Sequence, residues 1–183
     1  MPRILVVGSS CAGKSTLSQK LSAALDLHYI QLDALQWMPG WTERDDPTFF
    51  KMLTEAVTQH SHWVIDGNYS RTHAISWPRA QVVVWLNYSY SRVVWRALTR
   101  TCRRVFTREQ LYSGNVETFR RSFLSRDSIL WWVIKTFHYR RRRYSDIRKK
   151  NAYAHLVWIE LRRPIPLDAL ILKIESAIPA EKR

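Results

Sequence analysis

An apolar run, Ile4-Leu5-Val6-Val7, leads straight into Gly8-Ser9-Ser10-Cys11-Ala12-Gly13-Lys14-Ser15, and Leu17, Leu21, Ala24 and Leu25 then recur at helical spacing. A buried strand, a G-x-x-x-x-G-K-[ST] turn and an amphipathic helix in that order form a phosphate-binding loop in its required context. This start restricts the chain to an α/β architecture with the loop at the carboxyl edge of a parallel sheet. Gly8 and Gly13 permit turns that a Cβ would resist, so the N–H groups of Ser9, Ser10, Cys11 and Ala12 can converge on one oxyanion. The helix starting near Lys14 aims its unpaired amides at the same point. Lys14 is placed to reach the β- and γ-phosphates of ATP, and the Ser15 hydroxyl to ligate Mg²⁺. Thr16 completes the nucleotide-binding segment as a buried or capping hydroxyl, and Cys11 is a small filler.

The chain has 183 residues, 46% of them apolar, which suits one domain with a basic helical excursion over about residues 100–150. Cys11 and Cys102 make no disulfide framework, and the core strand begins after a single arginine, so a cytoplasmic protein without a signal peptide is expected. The longest apolar stretch, Ile129 to Ile134, is far below the ~20 residues a membrane helix needs. Of the net charge of +14, residues 92–150 carry +13, with 17 Lys and Arg against 4 Asp and Glu. Charge this concentrated implies that the segment faces an anion.

Strand and helix patterns alternate along the chain. Strands are expected at Arg3–Val7, His28–Leu32, Trp63–Ile65, Gln81–Leu86 and Leu156–Leu161. Helices are expected over 14–26, from Asp46-Pro47 to about His60, from about Ser89 to Arg104, from Phe123 to Lys150 with a break near His138, and over Leu167–Ile178. Residues 105–122 read as a loop containing a short helix. Such alternation implies a parallel sheet with right-handed crossovers.

Several segments taken in order resemble the P-loop nucleotide and small-molecule kinases of the adenylate and shikimate kinase kind. They are Gly8–Ser15, the strand ending at Asp33, Val64-Ile65-Asp66-Gly67, the strand end Trp85-Leu86 and the arginine-rich segment after it. Leu32-Asp33, Trp37-Met38-Pro39-Gly40-Trp41 and Trp63 to Ser70 resemble more closely the bacterial group labelled DNA topology modulation protein. The resemblance implies a three-layer α/β/α P-loop fold, a five-stranded parallel sheet of order 2-3-1-4-5, and an arginine-rich helical lid. Nucleoside monophosphate kinases end their third strand in Asp-Gly-Phe-Pro-Arg-Thr. Here Asp66-Gly67 continues as Asn68-Tyr69-Ser70-Arg71-Thr72, one residue longer and without proline.

Asp33 follows the second strand, on the sheet edge where ligands of open α/β folds bind. The resemblance makes it the base that accepts a proton from the acceptor hydroxyl, while its position alone also fits a turn carboxylate. Asp66 reads as the holder of a Mg²⁺-bound water or as the partner of Lys14, and Gly67 would admit a ligand close to the backbone. Trp37, Trp41 and Tyr69 could stack on a base or sugar, or pack beneath a loop; Arg71 belongs to the same acceptor group. Asp45 and Asp46 read as helix caps. By resemblance, Arg100, Arg103 or Arg104 approaches the phosphates, with Arg100 and Arg104 as the catalytic pair. Arg140 to Arg143 are consecutive, so at most two can face one site. The six histidines show no metal-ligand spacing.

Two functions follow. One is an ATP- and Mg²⁺-dependent kinase acting on a small-molecule acceptor, with nucleotides and nucleosides among the candidates. The alternative is an ATP-dependent nucleic-acid-binding protein that grips phosphates through residues 92–150, with Trp131, Trp132, Phe137 and Tyr139 as stacking aromatics.

Overall fold

The structure, a computed structural model, describes residues 2–67, 69–107, 112–114 and 128–178. Five strands form one parallel sheet: β1 (Arg3–Gly8), β2 (His28–Gln31), β3 (Trp63–Asp66), β4 (Val82–Leu86) and β5 (Val157–Leu161). Their spatial order is β2-β3-β1-β4-β5, the order the resemblance implies. Ile4 lies opposite Val64 on one side and Val82 on the other, so β1 is the central strand and its loop leaves from mid-sheet.

The three middle strands read as near-continuous apolar runs because both faces of the sheet are covered. Ile4 and Val6 turn to one side, where Leu21 of α1 (Lys14–Leu25), Val93 and Ala97 of α3 (Tyr90–Thr107), and Leu170 and Ile174 of α5 (Leu167–Ala177) bury them. Leu5 and Val7 turn to the other, against Phe49, Leu53 and Val57 of α2 (Asp46–Gln59) and Tyr144 of α4 (Ile129–Lys149). This period-two division of one strand between two cores builds the three layers.

Local signals set the helix ends. Asp45 caps α2 by accepting from the Thr48 N–H at 2.9 Å, with Pro47 in the first turn. Asp46 is in the helix and pairs with Arg71 instead of capping. Ser128 caps α4 through the Trp131 N–H at 3.1 Å. Two expectations change. The helix expected from Phe123 is described only from Ile129, and it runs through His138 without a break. Phe137 and Tyr144 are buried on either side of that histidine and hold one continuous helix in register. The strand expected to reach Leu32 stops at Gln31, and Leu32–Gln36 forms a short helix carrying Asp33. Of the loop expected over 105–122, residues 108–111 and 115–122 lie outside the described residues, 105–107 continue α3, and Tyr112–Gly114 forms one 3₁₀ turn.

Two-residue strands at Trp37–Met38 and Thr42–Glu43 pair as a small hairpin beyond Asp33. No helix among the described residues is long and apolar enough to cross a membrane.

Candidate functional site

Gly8 (φ 146°) and Gly13 (φ 100°) occupy backbone regions that L-residues avoid. Both positions are also crowded: a Cβ on Gly8 would meet the Leu86 carbonyl oxygen at 2.7 Å, and one on Gly13 would meet Nη2 of Arg96 at 2.8 Å. Cys11 takes the left-handed conformation at φ 62° without being glycine, and it is buried. The turn is closed by the Ala12 N–H donating to Ser9 O at 3.2 Å, and α1 starts with the Leu17 N–H on Gly13 O at 3.0 Å. No side chain caps α1, so its first amides stay directed at the loop's hollow. Thr16 is exposed on that first turn rather than buried, and it caps nothing.

Lys14 Nζ donates to the carbonyl oxygen of Ser9 at 3.0 Å, folding the ammonium over the loop. Burial and then the nearby Arg140 charge lower its pKa to about 8, while Asp66 and Asp33 act in the opposite sense. One ammonium therefore senses both strand-end carboxylates at once. Asp66, 1% exposed, accepts from Ser15 and from the Tyr29 hydroxyl at 2.9 Å. Burial raises its pKa, and those two hydrogen bonds and Lys14 oppose the rise. A hydroxyl at the loop's end joined to a buried carboxylate is the donor pair a phosphate-bound Mg²⁺ uses, so these residues fit that ion.

Asp33 stands on the short helix after β2, and the Tyr69 hydroxyl donates to its Oδ1 at 2.7 Å. Tyr69 is therefore oriented toward the carboxylate, with its ring edge-on to Phe49 at 5.6 Å. Gly67, at φ 144°, lies where a Cβ would meet the Leu32 side chain at 2.6 Å. The exits of β2 and β3 touch there, which brings Asp33 and Asp66 to the same mouth.

Arg71 is held by protein groups. It donates to Gln36 Oε1 at 2.6 Å, pairs with Asp46 at 2.9 Å, and lies over the rings of Phe49 and Tyr69. Gln36 is fully buried, and its amide also donates to Glu43 and to the Arg44 carbonyl. Trp37 and Trp41 pack edge to face at 5.7 Å in the hairpin. The Ser113 hydroxyl, beyond α3, donates to the Trp37 carbonyl at 2.8 Å.

Two arginines to which sequence reasoning gave no role come close to the loop. Arg96 donates from Nε to Cys11 O at 3.3 Å, so α3 rests directly on the phosphate loop. Arg100 and Arg104 follow at four-residue spacing on the same stripe, with their Nε atoms buried, whereas Arg103 is exposed. Arg140 projects from α4 to where its charge acts on Lys14, Asp33 and Tyr69. Its stripe mates Val133, Phe137 and Tyr144, at helical spacing, are the signal that separates it from Arg141 and Arg142. Among the described residues no group of three or more His, Cys, Asp or Glu could hold a metal by itself.

The loop's lysine, the two strand-end carboxylates and Arg140 are thus near enough to act on one another's charge. No family model matches the chain, and no curated protein matches it. Among solved structures it is similar to a candidate kinase of Chloroflexus aurantiacus (18% identity, 97% of this chain and 99% of that one, TM-score 0.55). It is similar also to shikimate kinase of Aquifex aeolicus (16% identity, 95% and 96% covered, TM-score 0.55). A third is shikimate kinase of Acinetobacter baumannii in complex with shikimate (15% identity, 96% and 94% covered, TM-score 0.53). Over nearly its whole length, the chain has the fold of these kinases.

Proposed function

We propose that this protein is a phosphotransferase that moves the γ-phosphoryl group of ATP to a hydroxyl of a small molecule. The observation that carries this reading is the convergence on Lys14 of a phosphate-binding loop and two carboxylates, Asp33 and Asp66, with different surroundings. Asp66 is buried and already holds Ser15 and Tyr29. Asp33 stands at the mouth with Tyr69 fixing one oxygen.

The loop amides and Lys14 hold the β- and γ-phosphates, and Ser15 with Asp66 would hold a Mg²⁺, which when bound neutralises their charge. The acceptor oxygen attacks the γ-phosphorus, the bond to the β,γ-bridging oxygen breaks, and ADP leaves. Asp33 takes the hydroxyl proton. Arg100 and Arg104, following Arg96 along α3, supply positive charge where the transferred group becomes most negative. Trp37, Gly67, Tyr69 and Arg71 build the acceptor wall, with Arg71 acting through Gln36 and the hairpin. The fold shared with kinases supports this reading.

The test is Mg·ATP consumption with and without a panel of hydroxyl-bearing metabolites and nucleosides. Acceptor-stimulated turnover that disappears in Lys14→Ala is expected. A panel that leaves ATP consumption unchanged would sink the proposal.

A second reading, ATP-dependent nucleic-acid binding through residues 92–150, is favoured by one observation. Trp131, Trp132 and Tyr139 are 52, 48 and 65% exposed on the basic helix α4, where bases could stack. Salt-sensitive binding of single-stranded DNA without acceptor-stimulated turnover would promote it over the first.

A further inference from the structure

We infer that the outer face of α4 docks on the surface of an anionic lipid bilayer. Trp131 and Tyr139 settle among the headgroups there, and Lys135 and Arg142 meet the headgroup anions. The inference goes beyond the phosphotransfer reading and does not depend on it. Trp131, Lys135, His138 and Arg142 recur at every third or fourth position of α4, so they lie on one side of it. All four are exposed, and Trp132 and Tyr139, seven positions apart, flank them and are exposed too. On the opposite side Val133, Phe137 and Tyr144 are at most 3% exposed. The core thus fixes which side of α4 meets solvent.

Rings and cations share this face, which is the composition of a helix that lies on a membrane. Indole and phenol rings join an apolar body to a polar edge, and the headgroup layer accommodates both. Lysine and arginine lay their methylenes along apolar surroundings while their charged heads stay with the phosphates. From Ser128 to Ser145 the chain has five Lys and Arg and no Asp or Glu. Asp146 is the first carboxylate after them, and the exposed Lys149 and Lys150 follow it. Lys135 and Arg142 form no ion pair with a carboxylate among the described residues, so their charge is open to an external anion.

Charge and shape choose the partner. A second copy of this chain would set the same cations against each other across a two-fold contact. Single-stranded nucleic acid binds in a groove whose rings receive successive bases. Here the surface is the convex exterior of one helix. Trp131 and Trp132 are consecutive and leave the axis about 100° apart, and Tyr139 lies about 11 Å further along from Trp132. The three rings therefore make no ladder at base spacing. A bilayer demands neither groove nor ladder. It meets a helix lying flat and needs only rings and cations that reach one plane.

The test is co-sedimentation of the full chain with vesicles of phosphatidylcholine alone and with about one-third phosphatidylserine, at about 0.15 M salt. Binding to the anionic vesicles and not to the neutral ones is expected. It should weaken about tenfold or more in Trp131→Ala/Tyr139→Ala, which keeps every charge, and in Lys135→Glu/Arg142→Glu. Trp132 stays in place because its ring lies under the Arg140 guanidinium, 5.6 Å from Cζ. Lys20→Glu/Lys173→Glu changes the net charge equally at exposed positions of α1 and α5. It should alter binding less than about twofold. Equal losses in the two charge variants would reduce the effect to net charge and overturn the inference. So would wild-type binding by the aromatic variant, or no binding to anionic vesicles. Single-stranded DNA that displaces the vesicles, and whose own binding the aromatic variant loses, would overturn it by giving the face to nucleic acid. Self-association of the free chain that the same variant abolishes would overturn it by giving the face to a second copy. Thermal melts identify a variant that misfolds. Quenching of wild-type tryptophan fluorescence by acyl chains brominated near the headgroup then decides, because buried indoles are out of reach. Quenching supports docking through this face, and its absence overturns it.

Discussion

Tyr69 and Asp33, 36 positions apart in sequence, meet through a 2.7 Å hydrogen bond from the phenol hydroxyl to Oδ1. The bond fixes one oxygen of the carboxylate. Replacing Tyr69 by Phe keeps the ring against Phe49 and removes the hydroxyl that tethers Asp33. A kcat about tenfold lower with an unchanged ATP KM is expected, since a carboxylate free to rotate is less often aligned. Steady-state kinetics check this, and a kcat equal to wild type would mean Asp33 needs no orientation.

Lys14 predicts a pH dependence of nucleotide binding. Burial and Arg140 lower its pKa to about 8, below its ordinary value. Below that pH the free protein holds the charged ammonium; above it the neutral amine accumulates while the unfolded chain stays protonated. Folding stability from this group therefore rises with pH from about 8 toward the ordinary lysine value. Triphosphate affinity should move oppositely, because the anion needs the ammonium. At pH 8 binding should take up roughly half a proton, measurable by calorimetry in buffers of different ionisation enthalpy. No uptake at pH 8 would contradict the buried position of Lys14.

The stripe on α3 separates three neighbouring arginines. Arg96 touches Cys11 O, and Arg100 and Arg104 continue its line, whereas Arg103 is exposed beside it. Arg100→Ala should lower kcat by about 10²-fold or more, and Arg103→Ala should change it less than threefold. Comparable losses in both variants would show that α3 rotates when substrate binds.

Arg71 is expected to govern stability more than turnover. Arg71→Ala leaves the Gln36 carbonyl buried without its 2.6 Å donor and Asp46 without its 2.9 Å partner. A loss of about 2 kcal/mol should lower the melting temperature by about 4–8 °C for a domain of this size. Scanning calorimetry measures it, and an unchanged midpoint would mean that solvent replaces these contacts without cost.

The parts of this molecule visible in sequence are those encoded by short-range rules. The loop needs its glycines, β1 needs four apolar residues in a row, and Asp45 caps α2 because an aspartate before Asp46-Pro47 can do little else. Strand order came with the resemblance and not with the residues themselves. The hairpin escaped notice because its strands have only two residues each, too few to show a period. Arg140 was hidden in a run of four arginines. Which of them faces inward depends on where Phe137 and Tyr144 are buried, and that is fixed by partners such as Tyr90, Trp77 and Trp85, far away in the chain. Arg96 had no role in sequence for a related reason, since its contact with Cys11 spans 85 positions.

The fully buried amide of Gln36 joins the short helix of Asp33 to Glu43 and Arg44 at the end of the hairpin and to Arg71. Three stretches of backbone are thus riveted at one point, and none can swing without breaking the others' bonds. The wall proposed for the acceptor behaves as an anvil. Any closing stroke over a bound substrate must then be delivered from the opposite flank, by the helix whose arginine already leans on the phosphate loop.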